Sequence, residues 1–94
     1  MKFQLGQLVA TPNALSHLST AGISPASLLA RHAKGDWGDL DTQDRKANDA
    51  ALLDGGRIFS AYKLPDGGKI WIVTEAEDDQ RIRRSTCILM PSDY

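Results

Sequence analysis

Between Phe3 and Ala30 the chain carries no Asp, Glu, Lys or Arg, a run of 28 residues in a sequence of 94. A stretch of that length with helix signals inside it cannot be the solvated face of anything large. It is expected to be either the most deeply packed part of the molecule or a surface covered by another chain. Two segments of matching design lie within or at the end of it. Thr11-Pro12 and Ser24-Pro25 each offer a hydroxyl N-cap followed by proline at the first helical position, where the missing N–H costs nothing. Gly22 and Gly35 follow those caps by eleven residues, where a left-handed residue ends a helix. Leu15 and Leu18 stripe the first helix; Leu28, Leu29 and Ala33 stripe the second. The short link through Ile23 makes the two antiparallel neighbours.

The remaining elements follow from alternation and turn chemistry. Phe3 to Val9 reads as a strand with Phe3, Leu5 and Val9 on one face. Asp41 is the expected N-cap of a third helix with Asp44 in its first turn, a small face at Ala47, Ala50 and Ala51, and an end at Gly55-Gly56. Arg57 to Leu64 and Lys69 to Thr74 flank Pro65-Asp-Gly-Gly68, a hairpin signal. Ile70, Ile72 and Thr74 face one way and Trp71 and Val73 the other, the pattern of a central strand. Ser85 to Met90 is the last strand, stopped by Pro91, after the charged segment Glu75–Arg84. The predicted fold is α+β, with the order β-α-α-α-β-β-β: an antiparallel sheet of about four strands with three helices packed on one face.

Length and composition bound the rest. Residues 1–94 are expected to form a single domain. Cys87 is the one cysteine, so no internal disulfide and no multi-cysteine zinc site can form, which fits a reducing cytoplasm; it reads as a small buried hydrophobe. The first residues lack the apolar run and cleavage pattern of a signal peptide, and no stretch is long and apolar enough for a membrane span. Net charge is −1, so nucleic acid is not expected as the main partner. No cofactor is implied.

The most pointed local feature is Arg31-His-Ala-Lys-Gly-Asp-Trp-Gly-Asp-Leu-Asp41. It sets Trp37, one of two tryptophans, between Gly35 and Gly38 and among charged neighbours. Two roles are open to Trp37: a plug for the core, or a partly exposed recognition residue flanked by Asp36 and Asp39. The carboxylates of Asp36, Asp39, Asp41 and Asp44 do not match a calcium loop, and capping accounts for the last two, so no metal is expected. His32 and His17 lie on helices with no nucleophile at a telling spacing. Arg81, Arg83 and Arg84 form a basic spot facing Glu75, Glu77, Asp78 and Asp79, which read as its neutralising partners.

In the Trp37 segment, with Gly56-Arg-Ile-Phe-Ser-Ala-Tyr62, Lys69-Ile-Trp-Ile-Val-Thr-Glu-Ala76 and Ile88-Leu-Met-Pro-Ser-Asp-Tyr94, the chain resembles a family of short bacterial proteins. These are carried on plasmids, prophages and integrative elements and are described only as plasmid-related. The resemblance spans nearly the whole chain and brings no catalytic residues. It departs at Glu77–Ser85, where those proteins have a shorter turn. Together with the absence of a catalytic signature and the Trp37 loop, this resemblance leads to the expectation of a non-enzymatic accessory protein of a mobile genetic element that binds another protein, with inhibition of a host defence nuclease complex as one such action. From the residues themselves, Trp37, Asp36, Asp39, Arg81, Arg83 and Arg84 are the expected contact residues, the arginines lying where the resemblance departs, and a homodimer is one expected assembly. The element order is also similar to RelE-like and barnase-like ribonuclease toxins, which implies the alternative of a metal-independent ribonuclease. Its catalytic set would be His32, Arg57, Tyr62, Arg83 and Tyr94.

Overall fold

A computed structural model describes every residue from Met1 to Tyr94. The chain runs β1 (Gln7–Ala10), α1 (Pro12–Ala21), α2 (Pro25–Ala33), α3 (Thr42–Asp54), β2 (Ile58–Lys63), β3 (Lys69–Thr74) and β4 (Ser85–Leu89), and ends in a 3-10 turn at Pro91–Asp93. The N-cap residues are the expected ones, and two of the three cap through their side chains. Thr11 and Asp41 accept hydrogen bonds from the amides of Ala14 and Asp44. Ser24 flanks α2 without a side-chain cap bond. Gly22, Gly35 and Gly55 take the left-handed conformation at the helix ends.

The four strands form one sheet in the order β1-β4-β3-β2. The hairpin pairs Ser60 with Ile72, and β3 pairs antiparallel with β4 through Ile72 and Ile88. β1 lies parallel to β4, Val9 opposite Cys87, so the sheet is mixed rather than purely antiparallel. A tight turn forces neighbouring strands into opposite directions. β1 and β4 are joined only through the helices and the hairpin, and a crossover that long permits parallel pairing. β1 is also shorter than its hydrophobic pattern suggests. Gly6 has φ 67°, and a side chain there would collide with the carbonyls of Arg83 and Arg84. The chain bends there, and Phe3 leaves the sheet to pack edge-on against the His32 ring, 5.2 Å between centroids.

One sheet face, made by Ile70, Ile72, Ile88 and Tyr62, meets Ala14, Leu18 and Leu28 of the helices in the main core. A smaller core joins Trp37, Ala51 and Ile58, with Phe3, Leu40 and Leu52 against it. Leu15 was expected in the core but is 46% exposed, because Ala14 and Leu18 hold the inward face of α1. Leu29 is only partly buried, and Ala47 and Ala50 face solvent while Asn48 and Ala51 face inward. The uncharged run is therefore not the deepest part of the molecule. Leu8, Val9 and Leu15 are all exposed within it.

The two edges of the sheet differ. Along β2, Ala61 exchanges backbone hydrogen bonds with the Trp loop: its amide donates to the Trp37 carbonyl, and its carbonyl accepts from Asp39. Further along, the Asn48 carboxamide of α3 accepts from the Phe59 amide and donates to the Phe59 carbonyl, as a paired strand would. No strand lies against the outer side of β1.

Candidate binding face

Trp37 is 4% exposed, so the partial exposure expected from its charged neighbours is not met. Gly38 explains how a loop can tuck the indole inward. It has φ 75°, and a Cβ there would meet the Ala61 carbonyl and approach the Tyr62 ring to 2.7 Å. The indole packs 6.1 Å from both the Phe3 and the His32 rings, and its N–H donates to Asp49 at 3.3 Å. It is a plug. The neighbouring carboxylates are occupied as well. Asp36 pairs with Arg31 at 2.6 Å and Asp39 with Lys63 and Lys69 at 3.6 and 3.4 Å. Hydrogen bonding from Arg31 holds the Asp36 carboxyl below the usual carboxylate range.

His32 is sealed in the core at 0% exposure, and burial lowers its pKa to about 4. Its partners determine its tautomer. The Leu5 carbonyl can only accept, so the Thr86 hydroxyl spends its one proton there, at 2.7 Å. Thr86 must then accept from Thr74, 2.7 Å away, and Thr74 must accept from His32 Nε2 at 2.8 Å. Nε2 therefore carries the proton, and Nδ1 accepts from Ser60. This relay ties α2 to three successive strands and to the segment before β1. Nothing in the sequence spacing links these positions.

The three arginines do not form a patch. Arg83 is 4% exposed and donates to the carbonyls of Gly56, Glu75 and Ala51, with its guanidinium over the Phe3 ring. It clasps the end of α3 to the strands. Arg84 pairs with Asp78 at 2.6 Å, and Arg81 stands exposed at φ 60°. Tyr62 is buried, with its hydroxyl on the Asp36 carbonyl at 2.7 Å and Arg31 over its ring. Of the five residues in the ribonuclease reading, the fold brings only Arg57 and Tyr94 together, 3.1 Å apart. His32 opens onto no cleft with them.

Those two residues mark the surface that sequence reasoning missed. Strand alternation puts Val9, Cys87, Val73 and Phe59 in one row across the sheet, on the face without helices. Leu89, Trp71 and Ala61 form the next row. Phe59 and Trp71 meet edge to face at 5.1 Å, and Trp71 meets Tyr94 at 5.8 Å. Arg57, Phe59, Trp71, Val73 and Tyr94 line a shallow cleft of about 190 Å³. Cys87 lies half-buried on this face rather than in the core, its thiol pKa raised by burial.

The C-terminal turn places Tyr94 over the strands. The Asp93 carboxylate accepts from Thr11 at 2.6 Å, Met90 at 2.9 Å and Asn13 at 3.2 Å. The hydrogen bond from Thr11 is the main reason its pKa lies below the ordinary carboxylate value. The available signal was the alternation itself: Phe59, Trp71 and Val73 fall on one face, opposite the residues that meet the helices.

Compared with known protein families, curated proteins and solved structures, the chain matches none. No helix is long and apolar enough to cross a membrane.

Proposed function

We propose that the protein is a non-enzymatic binding protein that recognises another protein through the helix-free face of its sheet. One observation carries this reading: Phe59, Trp71 and Tyr94 form a connected aromatic surface beside Arg57, on the one face of the sheet that no helix covers. Aromatic and arginine side chains dominate the energetics of protein interfaces. The cleft suits an apolar side chain, and the guanidinium suits a carboxylate beside it. The fitting partner therefore presents an apolar anchor flanked by an acid. The buried titratable groups support a non-catalytic role, since His32, Arg83 and Tyr62 are engaged in holding the fold. The sequence resemblance to proteins of plasmids and prophages gives the setting: an accessory protein of a mobile element acting on a host or element-encoded protein, with a defence nuclease complex as the class to test first.

The experiment compares captures from lysates of hosts carrying restriction or CRISPR systems, using the wild-type protein and two face variants, Arg57→Glu and Tyr94→Ala. Loss of a captured protein from both variants, with unchanged thermal melts, is the expected result. Identical captures by all three proteins, or no capture at all, would sink the proposal.

A further inference from the structure

We infer that a second copy of this chain pairs with the outer edge of β1, joining two sheets into one continuous sheet across a two-fold axis. The argument begins with hydrogen bonds. Gln7 donates to the Arg84 carbonyl and Thr11 to that of Ile88, so the odd-numbered residues of β1 turn their amides toward β4. Strand alternation then points the backbone N–H and C=O of Leu8 and Ala10 outward, where no strand of this chain meets them. Exposed edges are ordinarily protected by charge, proline or a covering segment. The β2 edge has such cover, from the Trp loop and Asn48. β1, four residues long, has no covering segment, and Leu8 on it is 53% exposed.

The surroundings select a second copy rather than an unrelated strand. A two-fold axis sets every group near it against its own duplicate, so any charge there meets a like charge. β1 and residues 25–30 of α2 lie in the run that contains no charged residue. The register is self-complementary. With the axis at Val9, Leu8 lies opposite Ala10 of the partner subunit and Ala10 opposite Leu8 of the partner subunit. Each pair exchanges both of its free hydrogen bonds.

Leu8 shares a face with Thr86, the helix side, where an apolar groove of about 470 Å³ runs between β1 and α2. Leu5, Leu8 and Leu29 line it, with Lys34 the one charged residue on its wall, and the short side chains of Ala26 and Ala30 leave room for the partner subunit's Leu8. A stable interface covers about 800 Å² per subunit, roughly one seventh of the 5612 Å² surface here. Residues of β1 and α2 line the same groove, so the paired surface extends over both elements.

Sedimentation and light scattering on the intact protein test the pairing. The expected mass is twice 10.2 kDa at micromolar concentration. Leu8→Lys, at an exposed site, should leave the circular dichroism unchanged and weaken the dimer by at least about tenfold, because it brings two like charges together at the axis. The register has its own test. Val9→Cys in a Cys87→Ser background places two thiols at a non-hydrogen-bonded pair, about 4.5 Å between Cα atoms, which is within disulfide range. Mild oxidation should then yield a covalent dimer. A monomer at every concentration, or a dimer that tolerates Leu8→Lys and does not cross-link through Val9→Cys, would overturn the inference. Neither result bears on the aromatic face, which the variants Arg57→Glu and Tyr94→Ala probe separately.

Discussion

At the scale of single residues, His32 shows how burial turns a reactive side chain into a structural one. Its pKa near 4 in the fold stands against about 6.5 in the unfolded chain, so the unfolded state takes up the proton first as pH falls. His32 therefore contributes its full stability above pH 6.5 and loses it progressively between pH 6.5 and 4, a total of about 3 kcal/mol. Urea unfolding at pH 7, 5.5 and 4.5 should show this decline, and His32→Gln should flatten it. A wild-type slope equal to that of the variant would show that His32 is not buried neutral. Nitrogen chemical shifts should also report the Nε2–H tautomer that the Thr74–Thr86–Leu5 chain requires. Trp37 belongs to the same class. Removing its ring should cost about 3–5 kcal/mol in a thermal melt, as large buried aromatics do. A nearly unchanged melting temperature would show that the indole is not the plug its burial indicates.

At the scale of elements, what could be read from the sequence was whatever is decided locally. Pro12, Pro25, Asp41 and the glycines after each helix fix the helix ends through short-range backbone chemistry, and Asp66-Gly67 fixes the hairpin. The direction of β1 depends on a contact with the far end of the chain, which no local signal encodes. The choice of Ala14 over Leu15 as the inward residue of α1 depends on how the helix is rotated against the sheet. That rotation gives a paired prediction. Leu28→Ala should cost about 2–5 kcal/mol and Leu15→Ala under about 1 kcal/mol in chemical denaturation. Equal losses would mean the helices are turned differently. Asn48 was equally unreadable, since a buried polar residue in a helix looks like a surface one until its strand partner is known. Asn48→Ala leaves the amide and carbonyl of Phe59 without partners and should cost about 1–3 kcal/mol. Asn48→Asp restores only the bond to the amide.

At the scale of the whole molecule, the sheet divides the protein into a closed side that holds the fold and an open side whose aromatic surface is completed by Tyr94. Tyr94 reaches Trp71 because the Asp93 carboxylate ties the C-terminal turn to the start of α1 through Thr11 and Asn13. The bonds to Thr11 and Asn13 are exposed, so their loss should change global stability little, yet they control whether the third ring of the surface is in place. Asp93→Ala should therefore free Tyr94 while changing the melting temperature little, as expected for a change at the surface. Iodide quenching reads the result directly. Trp37 is buried and Trp71 is only partly covered, so the quenchable emission comes from Trp71 and should become more accessible when Tyr94 leaves. Acid should do the same to the wild type, but only below the ordinary carboxylate range, because Thr11 and Met90 hold the Asp93 carboxyl in its charged form. The sign follows from the depressed pKa: the tie is present above it and is lost as pH falls through it. Unchanged quenching in Asp93→Ala would show that Tyr94 stays on the sheet without the clasp, and that the aromatic surface assembles through ring contacts alone.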